Sequence, residues 1–197
     1  MNQSQTLTQQ GTVFTLLGRV FIHELDKTTI QTLQEPKICE VMDQFHSGFS
    51  DYIQQTDWND ENINQLASDY CHLFILPQKT GLSLQASHWL LSDETLDMAK
   101  LESIIESLNI DLSSLHISDV NLSKDHLGLL LYFVSALFCS NDPKVQALAN
   151  QVANVVLIPW TLRFVEKLST ATHNPVYLAC GQLLLESVSN LEAVETL

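Results

Sequence analysis

Basic residues are scarce in this chain. Nine lysines and arginines stand against 23 aspartates and glutamates, a formal net charge of −14. A field of that sign repels polyanions, so neither a nucleic-acid partner nor stable insertion at an anionic membrane surface is expected. It favours cationic partners, basic peptides first among them; the plainer account is that the charge serves solubility alone. Glycine is scarce too. The six glycines stand singly, at 11, 18, 48, 81, 128 and 181. There is therefore no GxxxxGK[ST] loop to cradle phosphates and no GxGxxG turn. Ser83 lies between Gly81 and Gln85, which leaves a GxSxG elbow incomplete at its last position. The four cysteines (Cys39, Cys71, Cys139 and Cys180) form no CxxC pair, and each sits in an apolar stretch. Four buried, reduced thiols are expected, with neither a zinc site nor a disulfide framework. His23-Glu24 begins as a zincin helix does, but Lys27 stands where the second histidine belongs. These absences predict a chain with no metal, no cofactor and no catalytic centre of its own. Long apolar runs are missing as well. The longest, Leu127 to Cys139, falls short of the roughly 20 residues of a membrane-spanning helix. Met1 to Thr6 shows no secretory pattern, so a cytoplasmic location is expected.

Apolar residues recurring at helical spacing are abundant. They make up part of a 45% apolar composition, enough for a substantial core in 197 residues. Val13, Leu16, Leu17, Val20 and Phe21 share one face. Ile38, Val41, Met42 and Phe45 follow Pro36, a suitable first helical residue. Ile63, Leu66, Ala67, Tyr70, Cys71 and Phe74 form the cleanest stripe, with Asn59 and Asp60 as caps. Leu101, Ile104, Ile105 and Leu108 form another, started at Ser92 or Asp93. Ser123 is expected to cap a helix through Leu127, Leu130, Leu131, Val134 and Phe138. That helix is apolar nearly all round and therefore central. Asp142-Pro143, Pro159 and Asn174-Pro175 open three more. Period-two alternation is rare and hairpin signals are missing. The chain reads as all-α: one helical domain over residues 1–197 with about eight to ten helices. Loops are expected at Pro77–Ser92 and Asp111–Leu122, and residues 111–122 are the place for a hinge between two halves.

Short motifs recur in a recognisable order. Tyr70-Cys71-His72-Leu73-Phe74 gives aromatic-x-x-Leu-Phe, and Asp125-His126-Leu127-Gly128 gives Asp-His-x-Gly. Ile158-Pro159-Trp160-Thr161-Leu162-Arg163-Phe164 and then Asn174-Pro175-Val176-Tyr177 follow. Over roughly Ile63 to Ser187 this order resembles the TorD/DmsD family, to which the NarJ group is related. The first sixty residues match only in helical character. The resemblance implies an all-helical fold, as a monomer or a domain-swapped dimer. It also implies a cytoplasmic maturation chaperone for a molybdenum-containing oxidoreductase of anaerobic respiration. Such a chaperone binds the catalytic subunit and its twin-arginine signal peptide before cofactor loading and export. One stretch departs from the pattern. Where the family's loop carries a Pro-Pro-Trp-x-Ser-Val-Tyr type segment, this chain reads Ser83-Leu84-Gln85-Ala86-Ser87-His88-Trp89. Ser87 and Trp89 keep the tail; Leu84-Gln85 replace the Pro-Trp pair, so leader specificity is open.

A receptor for such a leader needs an apolar groove and carboxylates near one end, because a guanidinium fork can bond two carboxylate oxygens at once. The candidate binding residues are Tyr70, Leu73, Phe74, Ser87, Trp89, Asp125 and His126. For Tyr70, Leu73, Phe74 and Trp89 the plainer account is core packing. Asp125 would serve equally well as a first-turn carboxylate favoured by the helix dipole, and His126 as a partner to a loop carbonyl. Pro159, Trp160 and Arg163 are assigned to the fold, with Arg163 answering an internal carboxylate. Two alternatives stay open: a helical adaptor that binds a mature protein surface without leader recognition, and a small-molecule enzyme on a helical scaffold.

Overall fold

A computed structural model describes residues 3–76, 82–91, 103 and 122–192. Among them nine α-helices follow one another: α1 Gln3–Ile22, α2 Lys27–Leu33, α3 Pro36–Met42, α4 Phe49–Gln55, α5 Asp60–Tyr70, α6 Leu127–Phe138, α7 Pro143–Val156, α8 Ile158–Ala171 and α9 Pro175–Glu192. The described residues hold no strand, and the domain is all-α as the periodicity predicts. Their starts follow the local chemistry. The Asn59 side chain accepts from Asn62 N at the head of α5, Asp142 from Lys144 N at the head of α7, and Asn174 from Val176 N at the head of α9. Pro36, Pro143 and Pro159 fill first-turn positions, where no N–H is needed.

The expected cap of the central helix is a residue type and three positions off. His126, not Ser123, is the N-cap of α6, and its Nδ1 accepts from Gly128 N at 3.2 Å. Residues before it are drawn into extended pairing with a distant segment. Ala86 N donates to Asp125 O at 3.0 Å and Leu127 N to Leu84 O at 2.7 Å, an isolated antiparallel bridge at Gln85 and His126. That pairing holds Asp125 outside the helix, so it is no first-turn carboxylate.

α6 is the centre of the molecule: ten of its twelve residues are buried. α1 lies along it, and glycine makes the approach possible. A Cβ on Gly128 would stand 2.8 Å from Ile22 Cα and 2.9 Å from Ile22 N, so the two main chains touch there. A Cβ on Gly18 would meet the Tyr132 ring at 3.2 Å. Further along, the buried Ser135 hydroxyl donates to Gly11 O at 2.8 Å and lies 2.6 Å from Thr15 Oγ1. Phe14 stacks on Phe138 with ring centroids 5.7 Å apart. α8 and α9 close the other side through Trp160, Phe164 and Tyr177, all fully buried.

Two cysteine expectations hold and two do not. Cys39 and Cys180 are buried, Cys71 is half-buried and Cys139 is exposed; all four are free. Cys139 follows the last residue of α6, where the chain leaves the core. The stretch expected as a loop at 77–92 is, over its described part 82–91, partly core: Leu82, Leu84 and Ala86 are buried around a short 3₁₀ turn at Ala86–His88. The stripe through Leu101, Ile104, Ile105 and Leu108 lies outside the described residues, as does the 111–122 hinge except for Leu122. Among the described residues no helix is long and apolar enough to cross a membrane.

Candidate functional site

Past Tyr70 the chain does not continue as regular helix. Cys71–Ile75 widens into a π-turn, with Leu76 N donating to Cys71 O at 2.9 Å. The aromatic-x-x-Leu-Phe motif therefore spans the junction. Its two rings meet edge-on at 5.0 Å between centroids, and both reach Tyr177, at 6.5 Å from Tyr70 and 5.5 Å from Phe74. The Tyr70 hydroxyl donates to Phe21 O at 3.1 Å, answering one of the carbonyls that the end of α1 leaves without a helical partner. Burial, reinforced by the nearby Glu24 carboxylate, pushes this phenol well above its ordinary pKa, so it remains a donor throughout the physiological range.

The facing wall is the 82–91 segment, held by hydrogen bonds. Asp125 Oδ2 accepts from Ser87 N at 2.9 Å, and the carboxylate also accepts from the Ser123 hydroxyl. Trp89 Nε1 donates to Ser83 O at 2.8 Å, and its ring stands edge-on to Phe164 at 5.8 Å. Arg163 donates to the main-chain carbonyls of Trp89 at 2.7 Å and of Pro159. Burial works to raise the Asp125 pKa, but the hydrogen bonds from Ser123 and Ser87 outweigh it and hold the carboxyl below its usual value. His126 goes the other way. Burial pushes it down to about 4 against the opposing pull of Asp125, so the ring is neutral near pH 7. Because Nδ1 accepts from Gly128 N, the proton of the neutral ring sits on Nε2.

Between these walls lies a cleft of about 580 Å³. The end of α1 closes it with Ile22, His23 and Glu24; the π-turn supplies Phe74 and Ile75 beside Tyr70; Leu84 and His126 face them. Of the seven residues singled out in the sequence, Tyr70, Phe74 and His126 meet here. Leu73, 6% exposed, faces the core. Asp125 and Trp89 brace the facing wall, and Ser87 is an exposed residue whose N–H is committed to Asp125.

Sequence reading missed the α1 end. In the sequence His23-Glu24 reads only as an incomplete metal motif, yet both residues line the cleft. His23 Nδ1 lies 2.6 Å from Glu24 O, and its Nε2 meets Arg19, which also bonds Asp26 at 2.5 Å and Thr29 at 2.9 Å. Glu24 Oε1 accepts from the Cys71 thiol at 3.4 Å. Burial and then the Glu24 carboxylate raise the Cys71 pKa, which keeps this sulfur a thiol rather than a nucleophilic thiolate. Among the described residues no three His, Cys, Asp or Glu side chains are grouped to hold a metal. A second hollow of about 390 Å³ opens between α1, α2 and α3, with Val13, Leu16, Ile38, Val41 and Met42 in its wall. Among the described residues Arg19 is its one charged lining residue.

Comparison with known proteins agrees with this arrangement of motifs. Residues 35–166 match the family of the nitrate reductase delta subunit. The chain is 24% identical to the chaperone protein TorD of Shewanella piezotolerans over 198 aligned positions, covering 92% of this chain and 89% of that protein. It is 25% identical to the chaperone proteins TorD of two further Shewanella strains, ANA-3 and MR-4, covering 88% of this chain and 87% of each.

Proposed function

The chain belongs to the nitrate reductase delta subunit family, and from that premise we propose that it is a maturation chaperone for a molybdenum-containing oxidoreductase. On this reading it acts in the cytoplasm, before cofactor loading and export, and carries no catalytic centre. It holds the catalytic subunit through its twin-arginine leader. The cleft is the observation that carries the reading. It joins an apolar floor at Phe74 to a rim where Ile75 is 58% exposed, a surface suited to an apolar peptide segment. The acidic surplus speeds encounter with a basic peptide.

Calorimetric titration of the full chain with a twin-arginine leader peptide tests this. Binding is expected, and Ile75→Asp should weaken it about tenfold or more while leaving the circular-dichroism spectrum unchanged, because Ile75 is exposed. Failure of both the leader peptide and the catalytic subunit to bind the parent protein sinks the reading. The adaptor alternative keeps one observation in its favour, the apolar hollow beside α3, where Val41 is 43% exposed. If that face is the docking surface, Val41→Glu loses the mature subunit and keeps the leader.

A further inference from the structure

Among the described residues Glu24 is the one carboxylate in the cleft wall. It is half-buried, and its setting is unlike that of Asp26 two residues on. Asp26 caps α2 through Thr29 and pairs with Arg19. Asp125, on the other side of the cleft, is likewise filled by Ser87 and Ser123. Glu24 has no ion-pair partner among the described residues. Its Oε1 takes only the Cys71 thiol at 3.4 Å, a weak donor, and Oε2 takes no hydrogen bond among them. A carboxylate set against the apolar surfaces of Ile22, Ile75 and Leu84 attracts a cation more strongly than one in open water. The main chain around it is fixed: Tyr70 is bonded to Phe21 O and His23 to Glu24 O, so the side chain projects from a rigid corner.

Resting on the chaperone reading above, we infer that Glu24 is the specificity-determining residue of the cleft and takes the guanidinium of an arginine adjoining the apolar segment of the bound peptide. The Cys71 thiol yields Oε1, and the planar fork then meets both oxygens. A lysine ammonium meets one oxygen at a time and gains less. The Nε2–H of His126, on the opposite wall, adds a neutral donor for a peptide carbonyl and puts no positive charge beside the arginine.

The experiment is a double-mutant cycle on the full chain, read by titration calorimetry. The probes are three synthetic peptides that share one apolar segment and carry two arginines, two lysines or two alanines before it. Glu24→Gln should weaken the arginine peptide about tenfold at low salt, with the gap narrowing as salt rises. It should leave the alanine peptide unchanged and erase the preference for arginine over lysine. Cys71→Ser should leave the order of the three peptides intact. If the parent binds the arginine peptide and Glu24→Gln binds it equally well, or if the losses from Glu24→Gln and from arginine removal simply multiply, the assignment to Glu24 is overturned and the chaperone reading stands. If the parent binds none of the three, the peptide-binding reading itself has failed and this inference with it. Equal binding of the arginine and lysine peptides to the parent overturns the guanidinium assignment.

Discussion

The α1–α6 crossing and the 82–91 wall of the cleft both bring distant parts of the chain together, by opposite means. At the crossing, main chain touches main chain because Gly128 and Gly18 have no side chains; contact there is a matter of shape, and an added atom has nowhere to go. The cleft wall has no regular secondary structure beyond one short 3₁₀ turn. It is held by discrete hydrogen bonds through Asp125, Trp89 and Arg163, each removable without collision. The first arrangement tolerates only subtraction and the second is weakened mainly by it. A scaffold of the first kind fixes where the cleft is. A wall of the second kind lets its width adjust to an occupant at the cost of single hydrogen bonds.

The sharpest way to break this contrast is at Gly128. Gly128→Val should lower stability by about 3 kcal/mol or more, at or past the top of the usual range for overpacking, because Ile22 backbone atoms must retreat. Gly181→Ala is the control. Its Cβ would meet Leu168 Cδ2 at 2.8 Å, the flexible end of a side chain, and alanine favours the helix. That variant should stay within about 1 kcal/mol of the parent in urea unfolding. Equal losses for the two would mean that the crossing is not rigid.

Next in size is the titration of His126, which joins the two regions. Its native pKa is about 4, and the unfolded ring titrates near 6.5. Between those values the unfolded chain holds the proton and the native chain does not, so stability falls as pH falls from about 6.5 to about 4. The loss amounts to about 3 kcal/mol at most. His126→Asn keeps a capping side chain without a titrating ring, so the difference in unfolding free energy between variant and parent should change over that window and level off on either side. A pH-independent difference would remove His126 from the account.

Smallest in stability, and most local, is Asp125→Asn. It exchanges a charged acceptor for a neutral one at Ser87 N and Ser123, for a loss of about 1–2 kcal/mol. Hydrogen exchange at Ala86 and Ser87 should quicken while the α6 amides keep their protection. Uniform quickening along the chain would show that the wall and the crossing open as one unit.

The helices were legible in the sequence wherever a stripe met a cap. Asn59, Asp142 and Asn174 act within three residues of themselves, a range over which local rules are sufficient. The all-round apolar character of α6 correctly announced its central place. What stayed hidden depends on pairing across the chain. Nothing near Ser123 reveals that Ala86 will bond Asp125 and hold back the helix start. Glu24 becomes a cleft residue only when Cys71, 47 positions away, arrives beside it. Taken singly, the glycines say only that phosphate loops are missing. Gly11, Thr15 and Gly18, four and three residues apart on one helical face, were a readable sign of close helix packing. Tyr70, Phe74 and His126 line one cleft, and Asp125 is bonded to Ser87 and Ser123 beside it.

The Ser135–Gly11 hydrogen bond spans 124 positions. During synthesis α1 leaves the ribosome long before the helix that must cover it exists. At roughly 5–20 residues per second the wait is on the order of ten seconds. Throughout that interval Phe14, Leu17, Val20 and Phe21 face water, a greasy ridge waiting for its other half. Until α6 emerges, a nascent chain of this topology carries exposed apolar surface that is prone to aggregate.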